Sequence, residues 1–125
     1  MKKNIKIPNA PAPIGPYSQA ILSDNTLYVS GQIPMCPIEN ELKCSTIQEA
    51  TEQVMKNIKV LVETANFKME DVVKCSIFLK NLDDFVVVNK VYERYFDEIP
   101  PARETVQVSR LPLDVPIEIS CIAKR

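Results

Sequence analysis

Arg103 and Glu118 belong to one segment, Pro100-Pro101-Ala102-Arg103-Glu104-Thr105-Val106-Gln107-Val108-Ser109-Arg110-Leu111-Pro112 followed by Ile117-Glu118-Ile119. Prolines delimit a short β-like run in which Val106 and Val108 point one way. Two antiparallel strands joined by residues 111–115 would bring a guanidinium and a carboxylate to the same small space. Such a pair is either a structural ion pair on a sheet or a site where the guanidinium grips an anion and the carboxylate handles a proton. The chain has no histidine, which excludes nucleophiles activated by imidazole. Chemistry here must run on carboxylate, guanidinium, hydroxyl, backbone or thiol.

The rest of the composition narrows the classes. A chain of 125 residues, 46% hydrophobic and 25% charged, suits one globular domain spanning residues 1–125. A net charge of −1 provides no basic excess to drive counterion release from nucleic acid. No apolar run reaches the roughly 20 residues that span a bilayer. Met1-Lys2-Lys3-Asn4-Ile5-Lys6 is charged but leads into no apolar signal core, so a cytoplasmic protein is expected. Cys36, Cys44, Cys75 and Cys121 lack metal-finger spacing, and no metal site is expected. Cys75 and Cys121 fall on apolar strand faces, where a reduced thiol acts as a small hydrophobe. Only two glycines, Gly15 and Gly31, are present, which suggests that each sits where the backbone demands it.

The elements that must position these residues follow from periodicity. Residues 17–22 and 26–31 predict two strands around a turn at Ser23-Asp24-Asn25. Residues 33–45 predict a loop with a small hairpin near Glu39-Asn40. Ser45 and Thr46, each with Gln48 or Glu49 three residues on, start an amphipathic helix of about 18 residues through Ile47, Ala50, Val54, Ile58, Leu61, Val62 and Ala65. Val73, Cys75, Ile77 and Leu79 alternate with Lys74, Ser76, Phe78 and Lys80 as a strand. A second helix runs from about Asp83, with Phe85, Val88, Tyr92, Tyr95 and Phe96 on its stripe, and stops before Pro100-Pro101. Closing strands are predicted over residues 104–109 and 115–123. This ββ-α-β-α-ββ order implies a mixed sheet with both helices on one face. The other face would carry Tyr28, Ser30, Ser76, Phe78, Glu118 and Ser120, a mixture suited to meeting another subunit.

Four motifs together resemble the RidA (YjgF) family of reactive-intermediate imine deaminases. They are Ile14-Gly15-Pro16-Tyr17-Ser18-Gln19-Ala20, Val29-Ser30-Gly31-Gln32-Ile33-Pro34, the helix with Phe85, Asn89 and Tyr92, and the segment carrying Arg103, Arg110-Leu111-Pro112 and Ile117-Glu118-Ile119. The resemblance covers nearly the whole chain. It implies a chorismate-mutase-like α+β fold, a homotrimer with clefts between subunits, and cofactor-independent hydrolysis of 2-imino or enamine acids to 2-oxo acids and ammonia. On the matching positions the resemblance implies that Arg103 grips the substrate carboxylate and that Glu118 holds or activates water. Tyr17, Ser30, Gly31 and Asn89 line the cleft. Thr105 joins them, standing where many members have cysteine.

Glu104 departs from the family's small or apolar residue at its position. Strand alternation sends it to the side opposite Arg103, as a solvated or interface residue. The competing readings are a non-catalytic, small-carboxylate-binding regulatory trimer and a ribonuclease or translation inhibitor. A chorismate mutase would share only the fold.

Overall fold

The computed structural model describes residues 1–125, and its longest element is the helix α1 (Ile47–Thr64). Thr46 caps it: the hydroxyl accepts from Glu49 N at 3.0 Å, while Glu49 Oε1 accepts from Ser45 N at 2.9 Å. These bonds satisfy donors that a helix start leaves unpaired. At the far end Asn66 adopts a left-handed φ of 64°. Asn66 N then donates to Glu63 O, and Phe67 N to Val62 O, each at 3.0 Å. Asparagine tolerates this conformation, and the paired bonds close the helix. The second helix, α2 (Phe85–Glu93), follows a 3-10 turn at Leu82–Asp84. It ends before Tyr95 and Phe96, which still pack partly buried against the core.

The strands in chain order are β1 (Lys2–Ile5), β2 (Ala20–Ser23), β3 (Thr26–Gln32), β4 (Met35–Cys36), β5 (Glu41–Leu42), β6 (Val72–Leu79), β7 (Ala102–Gln107) and β8 (Ile117–Lys124). Six of them form one sheet in the order β1-β2-β3-β8-β6-β7, and β4 with β5 forms the small hairpin expected near Glu39-Asn40. Every pairing in the large sheet is antiparallel except β6 with β7, which α2 connects as a parallel crossover. The result is a mixed α+β fold with both helices on one face, as the element order implied. The core lies between them, built by Val54, Ile58 and Leu61 of α1, Val88 of α2, and Leu27, Ile77, Ile117 and Ile119 of the sheet. No helix is long and apolar enough to cross a membrane.

The expected hairpin between the last two strands does not form, because β6 lies between β7 and β8. The reason lies in their burial patterns. In β8, Ile117, Ile119, Cys121 and Ala123 are all buried, which favours a central place bonded along both edges. No residue of β7 is fully buried, and such a polar strand suits an edge. The connection passes over the end of β6 through a 3-10 turn at Pro112–Asp114. There Lys80 N donates to Pro116 O at 3.0 Å, and Lys80 Nζ pairs with Asp114 Oδ1 at 2.9 Å.

Strand boundaries also differ from expectation: β2 begins at Ala20 and not at residue 17, leaving Tyr17 in the segment before it, and β8 begins at Ile117 and not at residue 115. β1 was not predicted, since Lys2, Lys3 and Asn4 are polar, yet it pairs along β2 and buries Ile5. β7 begins at Ala102, which places Arg103 inside the strand and not in the turn before it.

Because β8 anchors the core, Ile119→Ala should cost about 2–5 kcal/mol, the range for emptying a fully buried aliphatic site. Urea unfolding with an unchanged slope would measure this as a shift in midpoint.

Candidate active site

Arg103 lies opposite Cys75 in the parallel β6–β7 register, and Thr105 lies opposite Ile77. Laterally paired residues share a sheet face, so both follow buried Cys75 and Ile77 towards the helices. The Arg103 guanidinium carbon sits 4.9 Å from the Tyr92 ring centre and 5.6 Å from that of Phe85. Aromatic faces of this kind attract the cation by about 0.5–2 kcal/mol. They orient it without neutralising it, and Arg103 takes part in none of the seven ion pairs of the chain. Asn89, one turn before Tyr92, lines with Arg103 a depression of about 500 Å³. Nearby, Thr105 Oγ1 is buried with no hydrogen-bond partner. A buried hydroxyl left unpaired costs about 1–3 kcal/mol, which a bound acceptor or water would relieve.

Glu118 lies on the other face. It stands opposite Phe78 in the β6–β8 register, between buried Ile117 and Ile119. The pairing of β3 with β8 shifts between Val29 and Gln32, a bulge that contains Ser30 and Gly31. A Cβ built on Gly31 would lie 2.6 Å from Glu118 Cδ and 2.9 Å from its Cγ. A side chain at this position would displace the Glu118 carboxylate from where it now lies. Burial alone pushes the Glu118 carboxyl above the usual carboxylate range, with no neighbouring charge or hydrogen bond to oppose it. Ser30 ties the preceding segment to the bulge: its Oγ donates to Ser18 O at 2.7 Å, and its N donates to Gln19 O at 2.9 Å. Tyr17, next in that segment, is 56% exposed.

The site residues thus form two groups. Arg103, Thr105 and Asn89 gather on the helix side, and Glu118, Gly31, Ser30 and the Tyr17 segment gather at the open side. Within one chain they do not converge. The expectation that Arg103 and Glu118 reach one space inside a protomer is corrected by sheet parity, and the structural ion pair is excluded with it. Glu104 behaves as alternation required: it pairs with Lys74 Nζ at 2.8 Å and accepts from Ser76 Oγ, away from Arg103.

Two supporting features escaped the sequence reading. Phe85 and Tyr92, placed on the helix stripe but given no role towards Arg103, form its shelf; their seven-residue spacing on one helix face was the available signal. Asn57 is buried on the apolar stripe of α1 and donates to Ile33 O at 3.3 Å and to Met35 O at 2.9 Å. It clamps the chain just after the Gly31 bulge. A polar residue on an otherwise apolar stripe marked it.

Two measurements check the Glu118 group. Gly31→Ala should cost about 1–3 kcal/mol through overpacking, and much less in a Glu118→Ala background, since the clash has gone. Equal costs in both backgrounds would contradict the contact. The pH dependence has a definite sign. A raised carboxyl binds its proton more tightly folded than unfolded, so its stabilising contribution exists at low pH and is lost as pH rises through the folded pKa. The melting temperature of Glu118→Gln should therefore gain on the parent's as pH climbs from the unperturbed value of 4.5.

Comparison with known proteins bears on the family and the fold. Residues 7–125 match the family model described as Endoribonuclease L-PSP. A RutC family protein of Pyrococcus horikoshii is 50% identical over 123 residues, covering 98% of each chain. A 2-iminobutanoate/2-iminopropanoate deaminase of Escherichia coli is 45% identical over 128 residues, covering 100% of this chain and 99% of that one. Among solved structures, a protein of unknown function of the conserved Rid family from Yersinia pestis superposes with a TM-score of 0.95 at 43% identity, covering 100% of both chains. By its sequence, its topology and these relatives, the chain belongs to the YjgF/RidA family.

Proposed function

We propose that the protein hydrolyses small 2-imino and enamine acids, of the 2-iminopropanoate and 2-iminobutanoate type, to 2-oxo acids and ammonia. The observation that carries this reading is an unneutralised guanidinium held on an aromatic shelf, free to take a small carboxylate. Arg103 meets the substrate carboxylate with a bidentate fork, a geometry that lysine cannot copy. Asn89 borders the same place and orients the remainder of the molecule; Thr105 follows Arg103 on the same face of the strand.

The chemistry needs one water and one proton carrier. A protonated imine carbon is already electrophilic. As water oxygen bonds to that carbon, Glu118 takes a water proton, giving a carbinolamine. The protonated Glu118 then delivers this proton to the amino nitrogen. The C–N bond breaks and ammonia leaves as the Glu118 carboxylate takes the hydroxyl proton, giving the 2-oxo acid; that proton then passes to the departing ammonia as ammonium. Burial makes Glu118 a stronger base than an ordinary carboxylate, and its acid form can return the proton to the amine. No cofactor enters the sequence.

Arg103 and Glu118 face opposite sides of one sheet, so the reading requires a second copy of the chain. A homotrimer of the chorismate-mutase-like kind would seat the open face of one subunit against the Arg103 edge of the next. The open face, with half-exposed Tyr28, Phe78 and Ser120, is suited to that contact. The family model's name raises RNA cleavage as an alternative. A net charge of −1, no histidine, and two carboxylates in the Arg103 depression disfavour a polyanion there.

Ammonia release from 2-iminopropanoate generated in situ by an amino-acid oxidase tests the reading. Arg103→Ala should lose binding and turnover together, and Arg103→Lys should recover little. Glu118→Gln should keep 2-oxo-acid binding while deamination falls about 10²–10⁴-fold, less if the imine hydrolyses readily unaided. Subunit exchange between Arg103→Ala and Glu118→Gln should restore about a quarter of the parent rate, the share of clefts with both intact residues on random assembly. Full turnover in Glu118→Gln would remove it from the mechanism and leave a carboxylate-binding protein.

A further inference from the structure

The buried polar residues of this chain are Gln32, Thr51 and Asn57. A buried polar group costs free energy unless it is hydrogen-bonded, so the partner of each shows what it supports. Thr51 closes on its own helix, donating from Oγ1 to Ile47 O at 2.7 Å. The two amides act elsewhere, on either side of Gly31. Gln32 Nε2 donates to Ser30 O at 3.1 Å, and Asn57 Nδ2 donates to Ile33 O and Met35 O.

Gln32 is the nearer brace. From Val29 to Gln32 the strand β3 advances three residues, while β8 advances two, from Cys121 to Ile119. Such a bulge disrupts the ladder and bends the strand. Gln32 pairs with buried Ile119 and is itself only 9% exposed. Its side chain therefore lies on the core side of the sheet, away from the face that a neighbouring copy would cover. From there the amide reaches back to the Ser30 carbonyl. That carbonyl belongs to the planar peptide unit leading into Gly31, so the bond fixes how this unit is turned. On the opposite side Gly31 receives Glu118, whose Cδ lies 2.6 Å from where a Cβ would stand. An aliphatic side chain would fill the same core space without burying an amide, so burial alone does not account for glutamine here.

We infer that Gln32 is a positioning residue for Glu118: by holding the Ser30–Gly31 peptide from the core side, it sets the surface against which the carboxyl rests. The inference rests on the deaminase reading above and extends its machinery through the sheet. Gln32 stands in the motif Val29-Ser30-Gly31-Gln32-Ile33-Pro34, where no role had fallen to it.

Coupling between substitutions tests it. Gln32→Met keeps an unbranched side chain of similar length and removes the donor. It should lower deamination of 2-iminobutanoate about 10- to 100-fold, the scale of a misplacement of about 1 Å. Binding of 2-oxobutyrate on Arg103, measured by calorimetry, should be unchanged. In a Glu118→Gln background the same substitution should cause no further fall. A merely structural role would lower the folded fraction and take the same factor from both backgrounds. A second cycle needs no turnover. The urea midpoint lost on Gly31→Ala should be smaller in Gln32→Met than in the parent, because an unbraced bulge can retreat from Glu118. Gln32→Leu, a second apolar replacement, should behave as Gln32→Met does. Unchanged turnover in Gln32→Met, an equal fall in both Glu118 backgrounds, additive midpoint shifts, or loss of fold in both apolar variants would overturn the inference. A parent protein that does not deaminate 2-iminobutanoate would remove the deaminase reading, and the urea cycle would then decide the role of Gln32 by itself.

Discussion

Strand alternation separates Arg103 from Glu118, and the organisation of the candidate site follows from that separation. The β6–β7 register pairs Arg103 with Cys75, on the side packed by helices. The β6–β8 register pairs Glu118 with Phe78, on the side left open. A one-residue slip in either register would send every side chain of that strand to the opposite face. The registers are held by the hydrophobic core, since Cys75, Ile77, Leu79, Ile117, Ile119 and Cys121 are all buried together. The same packing that stabilises the sheet therefore prevents the two groups from neutralising each other in one chain.

Each charged group is held by a partner that leaves its chemistry available. Tyr92 and Phe85 orient the Arg103 guanidinium by a weak attraction, where a carboxylate would quench it. Gly31 admits the Glu118 side chain into the space a Cβ would take, and burial raises its carboxyl without any opposing charge. Had Arg103 been beside Glu118, the carboxyl would be pulled down, since a neighbouring cation favours the charged form. The raised direction follows from the same separation, since no cation stands beside Glu118 within the protomer. Asn57 and Ser30 add the rigidity: one clamps the chain after the bulge and the other ties residues 18 and 19 to it.

Much of this was legible from residue order. Capping at Thr46, the apolar stripe of α1 and the alternation of β6 and β8 are local patterns, and local patterns survive folding. Arg103, Asn89, Gly31 and Glu118 were named from motifs, and the structure sets them in two coherent groups. What failed was the pairing of β7 with β8. Short sequence separation favours a hairpin, but β8 is bonded along both edges by β3 and β6, while β7 is reached through the α2 crossover. Strand neighbours depend on competition among non-local partners, which no short stretch encodes. β1 was missed for a similar reason: Lys2, Lys3 and Asn4 carry no apolar alternation, and pairing with β2 alone orders them.

The central claim is that the carboxylate clamp and the proton carrier of one working site come from different copies of the chain. A crystal structure of the assembled protein with 2-oxobutyrate bound tests it most directly. The account predicts the ligand carboxylate forked on Arg103, with Glu118 of a neighbouring copy within reach of C2 directly or through one water. A ligand seated on Arg103 with no Glu118 from any copy nearby would contradict it, as would a bound ligand that leaves Arg103 untouched.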